Sequence, residues 1–158
     1  GLIHKISLCQ TPQIPLKSYE DLSIFKIYCL DIGLLRVLSE LTPETYLSDS
    51  PIFKEYKGAL AENYILQSLL ANGIKCSRYW ASGNKAEVEF IVQHGMDVIP
   101  IEVKSGISIT GRSLVEYNKK YSPNLRVRFS MLNLKRDDTL LNIPLFLADR
   151  AEDLCKMM

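Results

Sequence analysis

Four charged side chains interrupt apolar patterns in the middle of this 158-residue chain. Along Val98-Ile99-Pro100-Ile101-Glu102-Val103-Lys104, a strand turns Ile99, Ile101 and Val103 to one face and Glu102 with Lys104 to the other. In the preceding strand-like run, Val88, Phe90 and Val92 share one face, while Glu87, Glu89 and Ile91 share the opposite one. A hairpin loop from His94 to Asp97 sets Gln93 against Val98, and the same register brings Glu89 opposite Glu102. Opposed residues of an antiparallel pair have Cβ atoms about 5 Å apart. Two carboxylates that close repel unless a cation stands between them. Mg²⁺ or Mn²⁺, hard ions that take carboxylate oxygens, would resolve the conflict. Glu62 adds a third acid on a helix face shared with Ile65, Leu66 and Leu69, where a carboxylate is costly unless paired or metal-bound. Simpler readings stand beside these: a half-wet strand carrying an exposed Glu102–Lys104 pair, and a good helix former at a border position.

The elements that must position these groups are legible from periodicity and punctuation. Leu2 to Cys9 reads as a strand, Ile24 to Leu30 as a second, and Asp31 as the N-cap of a short helix carrying Leu34, Leu35 and Leu38. A polar loop with Pro43, Ser48, Asp49, Ser50 and Pro51 then divides the chain into an N-terminal extension, residues 1–50, and a main domain, residues 51–158. Lys57 to Asn72 reads as a helix stopped by Gly73, followed by strands over Ile74 to Ala81, Ala86 to Val92 and Val98 to Lys104. Ser82-Gly83-Asn84-Lys85 supplies turn chemistry between the first two strands. Arg112 to Tyr121 reads as a helix ended by Ser122-Pro123, and Leu125 to Leu132 as a last strand. The order is helix, three-strand meander, helix, strand: an α/β layer arrangement. Pro100 cannot donate to a ladder and predicts an irregularity there, while Tyr79 and Trp80 read as packing residues.

With these elements placed, Glu62, Glu89 and Glu102-Val103-Lys104 resemble the PD-(D/E)XK nuclease signature, and the element order resembles the restriction-endonuclease-like core. Gly58-Ala59-Leu60-Ala61-Glu62-Asn63, Tyr79-Trp80, Glu87-Val88-Glu89-Phe90-Ile91 and Ile99 to Gly106 resemble, more narrowly, an uncharacterised C-terminal domain found behind the ATPase module of many prokaryotic AAA-type ATPases. Gly1-Leu2-Ile3, Phe25 to Tyr28 and Asp31 to Leu35 are similar to the stretch joining that module to the domain. The resemblance implies that Glu89 and Glu102 hold Mg²⁺ with the Val103 carbonyl, that Lys104 positions or activates a water, and that Glu62 orients water or assists a second ion. In this chain a glutamate, Glu89, stands where the signature expects the shorter aspartate.

Composition bounds the remaining options. At 47% hydrophobic and 23% charged residues, the chain has the make-up of a globular protein rather than a disordered one. No apolar run approaches the roughly 18 residues needed to span a bilayer, and no secretory signal pattern is present. Cys9, Cys29, Cys76 and Cys155 show no paired spacing, and with His4 and His94 distant they make no zinc motif. Reduced thiols in a cytoplasmic protein are the expectation. A GxxxxGK[ST] phosphate loop is lacking, so ATP hydrolysis is not expected from these residues. Net charge is +1, yet Lys104 to Arg136 carries eight basic residues against Glu116 alone. That run is either a solvated face or the phosphate-contacting side of a site. The expected function is Mg²⁺-dependent phosphodiester hydrolysis on DNA. The alternatives are a catalytically silent module for docking, homo-oligomerisation or regulation of the ATPase, and a nucleic-acid-binding domain without cleavage.

Overall fold

The central hairpin is set by two turn residues. Gly95 takes φ of +59°, a conformation that side chains resist, and with Met96 it links β4 (Glu87–His94) to β5 (Asp97–Val103). His94 therefore pairs with Asp97, Gln93 with Val98 and Phe90 with Ile101, the register the sequence predicts. In the computed structural model, which describes residues 1–42, 44, 53–83, 85–107 and 111–157, this hairpin forms the middle of an eight-stranded mixed sheet. The other strands are β1 (Ile3–Cys9), β2 (Glu20–Cys29), β3 (Arg78–Ala81), β6 (Arg126–Ser130), β7 (Lys135–Asp137) and β8 (Leu140–Pro144). Their order is β2-β1-β3-β4-β5-β6-β8-β7. Four α-helices complete the α/β architecture among the described residues: α1 (Ile32–Leu38), α2 (Lys54–Ala71), α3 (Arg112–Tyr121) and α4 (Ala151–Met157). The polar loop expected to mark a boundary, from Pro43 to Pro51, lies largely outside the described residues, as does Asn84 in the predicted turn.

The helix-meander-helix-strand order is observed as α2, β3–β4–β5, α3 and β6, with differences at the ends. Residues 74–77 do not join β3, β2 begins earlier than expected, and β7 and β8 extend the sheet beyond the last predicted strand. The N-terminal strands belong to the same sheet, because β1 pairs in parallel with β3 through Ser7–Arg78 and Leu8–Tyr79.

Two apolar clusters cover the sheet. One joins Ile65, Leu66 and Leu69 of α2 to Phe90, Val92, Ile101, Val103, Val127 and Phe129. The other joins Leu114 and Tyr117 of α3 to Trp80, Val88 and Ile91. The expectation that Val88 shares a face with Phe90 and Val92 is thus corrected. The β3–β4 register slips between Arg78 and Trp80, and this irregularity carries Val88 to the α3 side. Trp80 is fully buried, meets Tyr117 edge-on at 5.1 Å and donates its indole N–H to the Gln10 carbonyl.

Two amides of α2 tie it to β2 and to the start of α1 and so fix the position of Glu62. Buried Asn63 accepts from the Cys29 amide at 2.8 Å and donates to the Cys29 carbonyl at 3.1 Å. Gln67 accepts from the Ile32 amide and donates to Asp31, whose other oxygen caps α1 at the Leu34 amide.

Candidate active site

Beyond Phe90–Ile101, the last pair of the β4–β5 ladder, the Glu89 carboxylate supplies an acceptor in place of backbone: its Oε2 receives the Val103 amide at 3.1 Å. Its other oxygen, Oε1, lies 3.6 Å from the Lys104 ammonium. Glu102 Oε1 lies 3.5 Å from the same nitrogen. The two carboxylates therefore meet at one lysine, although Glu89 and Glu102 are not themselves a pair of the ladder. Glu102 is 0% exposed, which corrects the simpler reading of an exposed strand pair, and Glu89 is 7% exposed. Burial, opposed by Lys104 and reinforced by Glu62, pushes the Glu89 carboxyl up from 4.5 to about 7.

Arg128 supplies a second cation that the sequence reading left among the basic run. On β6 it stands in register with Glu102 across a parallel pair, and its Nε donates to Glu102 Oε2 at 2.9 Å. The signal was present in Arg126-Val127-Arg128-Phe129: with Val127 and Phe129 buried on one face, Arg128 must lie on the other. Gly111, which precedes α3, makes the approach possible. A Cβ there would lie 2.2 Å from Arg128 Nη2 and 3.2 Å from its Cζ. Gly111→Ala is expected to push the guanidinium off Glu102 and destabilise the fold by about 1–3 kcal/mol, read as a lowered urea midpoint at unchanged slope.

Glu62 is half-buried and accepts from the Tyr28 hydroxyl at 2.8 Å. Burial, with the nearby Glu62 charge, raises the Tyr28 pKa, so the hydroxyl remains a donor. Lys26, two residues earlier on β2, forms an ion pair with Glu87. Burial works against its ammonium, but Glu87, Glu62 and Glu89 outweigh this and raise its pKa. Lys26 and Tyr28 escaped the sequence reading, although two polar groups alternating in an apolar strand were the available sign. Elsewhere in the basic run Lys119 pairs with Glu116 and Lys135 with Asp137, and Arg126 donates to the Thr139 hydroxyl.

Two carboxylates, not three, converge. Among the described residues no three His, Cys, Asp or Glu side chains form a group able to hold a metal ion. The fit for a small dication rests on Glu102 Oε1, a buried oxygen with a cation in reach but no hydrogen-bond donor. With Glu89 Oε1 it makes the sparse carboxylate pair that suits Mg²⁺, which retains waters for its remaining positions. Val103, the third expected ligand, follows Glu102 in the same strand and spends its amide on Glu89. The four cysteines are free, as expected of thiols without paired spacing.

A mixed α/β domain in which two strand carboxylates meet a lysine is the class that fold and site define. A family model described as "Domain of unknown function (DUF4143)" matches residues 57–146, which include Glu62, Glu89, Glu102, Lys104 and Arg128. That is more than half of the chain, and the chain belongs to this family. No curated protein and no solved structure matches it. No helix among the described residues is long and apolar enough to cross a membrane.

Proposed function

We propose that this is a nuclease-like domain with a restriction-endonuclease-like core, attached to an AAA-type ATPase module in its full-length chain, and that it hydrolyses phosphodiester bonds of DNA with Mg²⁺. The observation that carries the reading is the convergence of Glu89 Oε1 and Glu102 Oε1 on the Lys104 ammonium, at 3.6 and 3.5 Å. Glu89 and Glu102 would hold the ion. When bound, Mg²⁺ supplies charge stabilisation at a phosphoryl oxygen and a water of lowered pKa. Lys104 has the most exposed side chain of the three, and its flexible stem lets the ammonium turn outward to a phosphate or water. Glu62, held by Tyr28, stands ready as an acceptor for a water proton.

Supercoiled plasmid cleavage with Mg²⁺ or Mn²⁺ tests the reading. Lys104→Ala and Glu102→Gln are each expected to lower the rate about a hundredfold or more. Cleavage that persists in both variants rejects it.

A second reading is a catalytically silent docking or oligomerisation module for the ATPase. Two observations favour it: Lys104 and Arg128 already match Glu89 and Glu102 charge for charge, and Phe25, Ile27, Val37 and Leu38 are exposed at the N-terminal side. A chain that self-associates, binds no Mn²⁺ and cleaves nothing belongs to this second class. Salt-dependent DNA affinity that survives Glu102→Gln, with no cleavage, marks binding alone.

A further inference from the structure

We propose that Arg128 decides which divalent cation the site accepts, by confining Glu102 to coordination through a single oxygen. The inference rests on the metal-binding reading above and adds a selectivity to it. Glu102 has two unlike sides. Its Oε2 accepts from Arg128 Nε at 2.9 Å, and a Cβ built on Gly111 would lie only 3.6 Å from that oxygen. A guanidinium and a stretch of backbone therefore close that side. Its Oε1 has no hydrogen-bond donor and faces the Lys104 ammonium at 3.5 Å. A cation chelated by both oxygens would have to sit against the guanidinium, where like charges repel and the Gly111 backbone leaves little room. A cation held by Oε1 alone meets only the Lys104 ammonium, whose side chain is 29% exposed and on a flexible stem that can turn outward.

The two geometries suit different ions. Ca²⁺ takes six to eight oxygens at long range and commonly draws both from one carboxylate, while Mg²⁺ demands a tight octahedron of single donors. Mn²⁺ shares the preference for carboxylate and water oxygens and serves as a probe for Mg²⁺. Arg128 is then a positioning residue. It acts through Glu102 and leaves the choice of ion to Oε1, which has a cation beside it but no hydrogen bond. Gly111 matters for the same reason, since it gives the guanidinium its place.

The test is binding rather than turnover. The 158-residue chain, its Arg128→Met variant and its Gly111→Ala variant are titrated with Mn²⁺ by electron paramagnetic resonance and with Ca²⁺ by calorimetry, each after a melting curve establishes folding. The unaltered chain is expected to prefer Mn²⁺ over Ca²⁺ by about tenfold or more, and Arg128→Met to reduce that ratio by about tenfold through tighter Ca²⁺ binding. Gly111→Ala is expected to shift the ratio the same way, and it supplies the readout should Arg128→Met not fold. Mn²⁺ binding with an unchanged ratio in the folded variants overturns the role of Arg128 and leaves the metal site standing. An unaltered chain that binds neither ion overturns both.

Discussion

Arg128→Met is expected to destabilise the folded chain by about 3–5 kcal/mol, the range found when one partner is removed from a buried ion pair. The magnitude follows from what remains. Glu102 is 0% exposed and has no water to turn to, and after the substitution its Oε2 loses the 2.9 Å hydrogen bond. Lys104, at 3.5 Å from Oε1 and already shared with Glu89, is left as its cation. A double variant, Glu102→Leu with Arg128→Met, removes the stranded charge together with its partner and is expected to recover most of the loss. Urea denaturation of the two variants and the parent reads both effects. A single variant within about 0.5 kcal/mol of the parent shows that the pair carries no such weight.

Glu89→Gln should stabilise the protein at pH 8 by about 3 kcal/mol and leave it nearly unchanged below pH 4.5. Burial raises the folded-state pKa of Glu89 from 4.5 to about 7, so the folded state binds this proton more tightly than the unfolded state. The parent is therefore favoured while the group is protonated in both states. It loses stability as pH climbs from 4.5 to 7, and above that the penalty is constant. Glutamine cannot ionise, yet its carbonyl can still accept the Val103 amide that Glu89 Oε2 accepts. The variant's stability should thus run flatter across this window. Denaturant unfolding at pH 4.5, 6 and 8 measures the difference, and parallel profiles for the two proteins would exclude the proposed ionisation cost.

How much could be read beforehand depended on sequence separation. The Glu89–Glu102 juxtaposition was legible because a tight hairpin fixes register locally, and Gly95 with Met96 does so here. Asp31 capping α1 and the bounds of α3 were legible for the same reason: each depends on residues a turn away. Arg128 was not, because its pairing with Glu102 runs between parallel strands separated by α3, and no local pattern reports which strand lies next to β5. Val88 misled through the β3–β4 irregularity, which breaks the alternation on which any assignment of faces depends. The strands β7 and β8 escaped because Lys135–Asp137 is wholly exposed and polar, while Leu140–Pro144 is short and ends in proline. The site's acids declared themselves by breaking an apolar pattern. Its second cation sat among residues that resembled an ordinary wet surface.

The parallel seam between β1 and β3 has a practical consequence for anyone trimming this polypeptide. The strand carrying Tyr79 and Trp80 is only four residues long and is flanked by β1 on one side and β4 on the other. Deleting the first thirty residues would bare its amides and carbonyls and take Ile6, Leu8 and Tyr28 out of the apolar layer they share with α2, an invitation to edge-to-edge aggregation. The shortest fragment that stays soluble should begin ahead of Ile3, even though the family match starts only at residue 57.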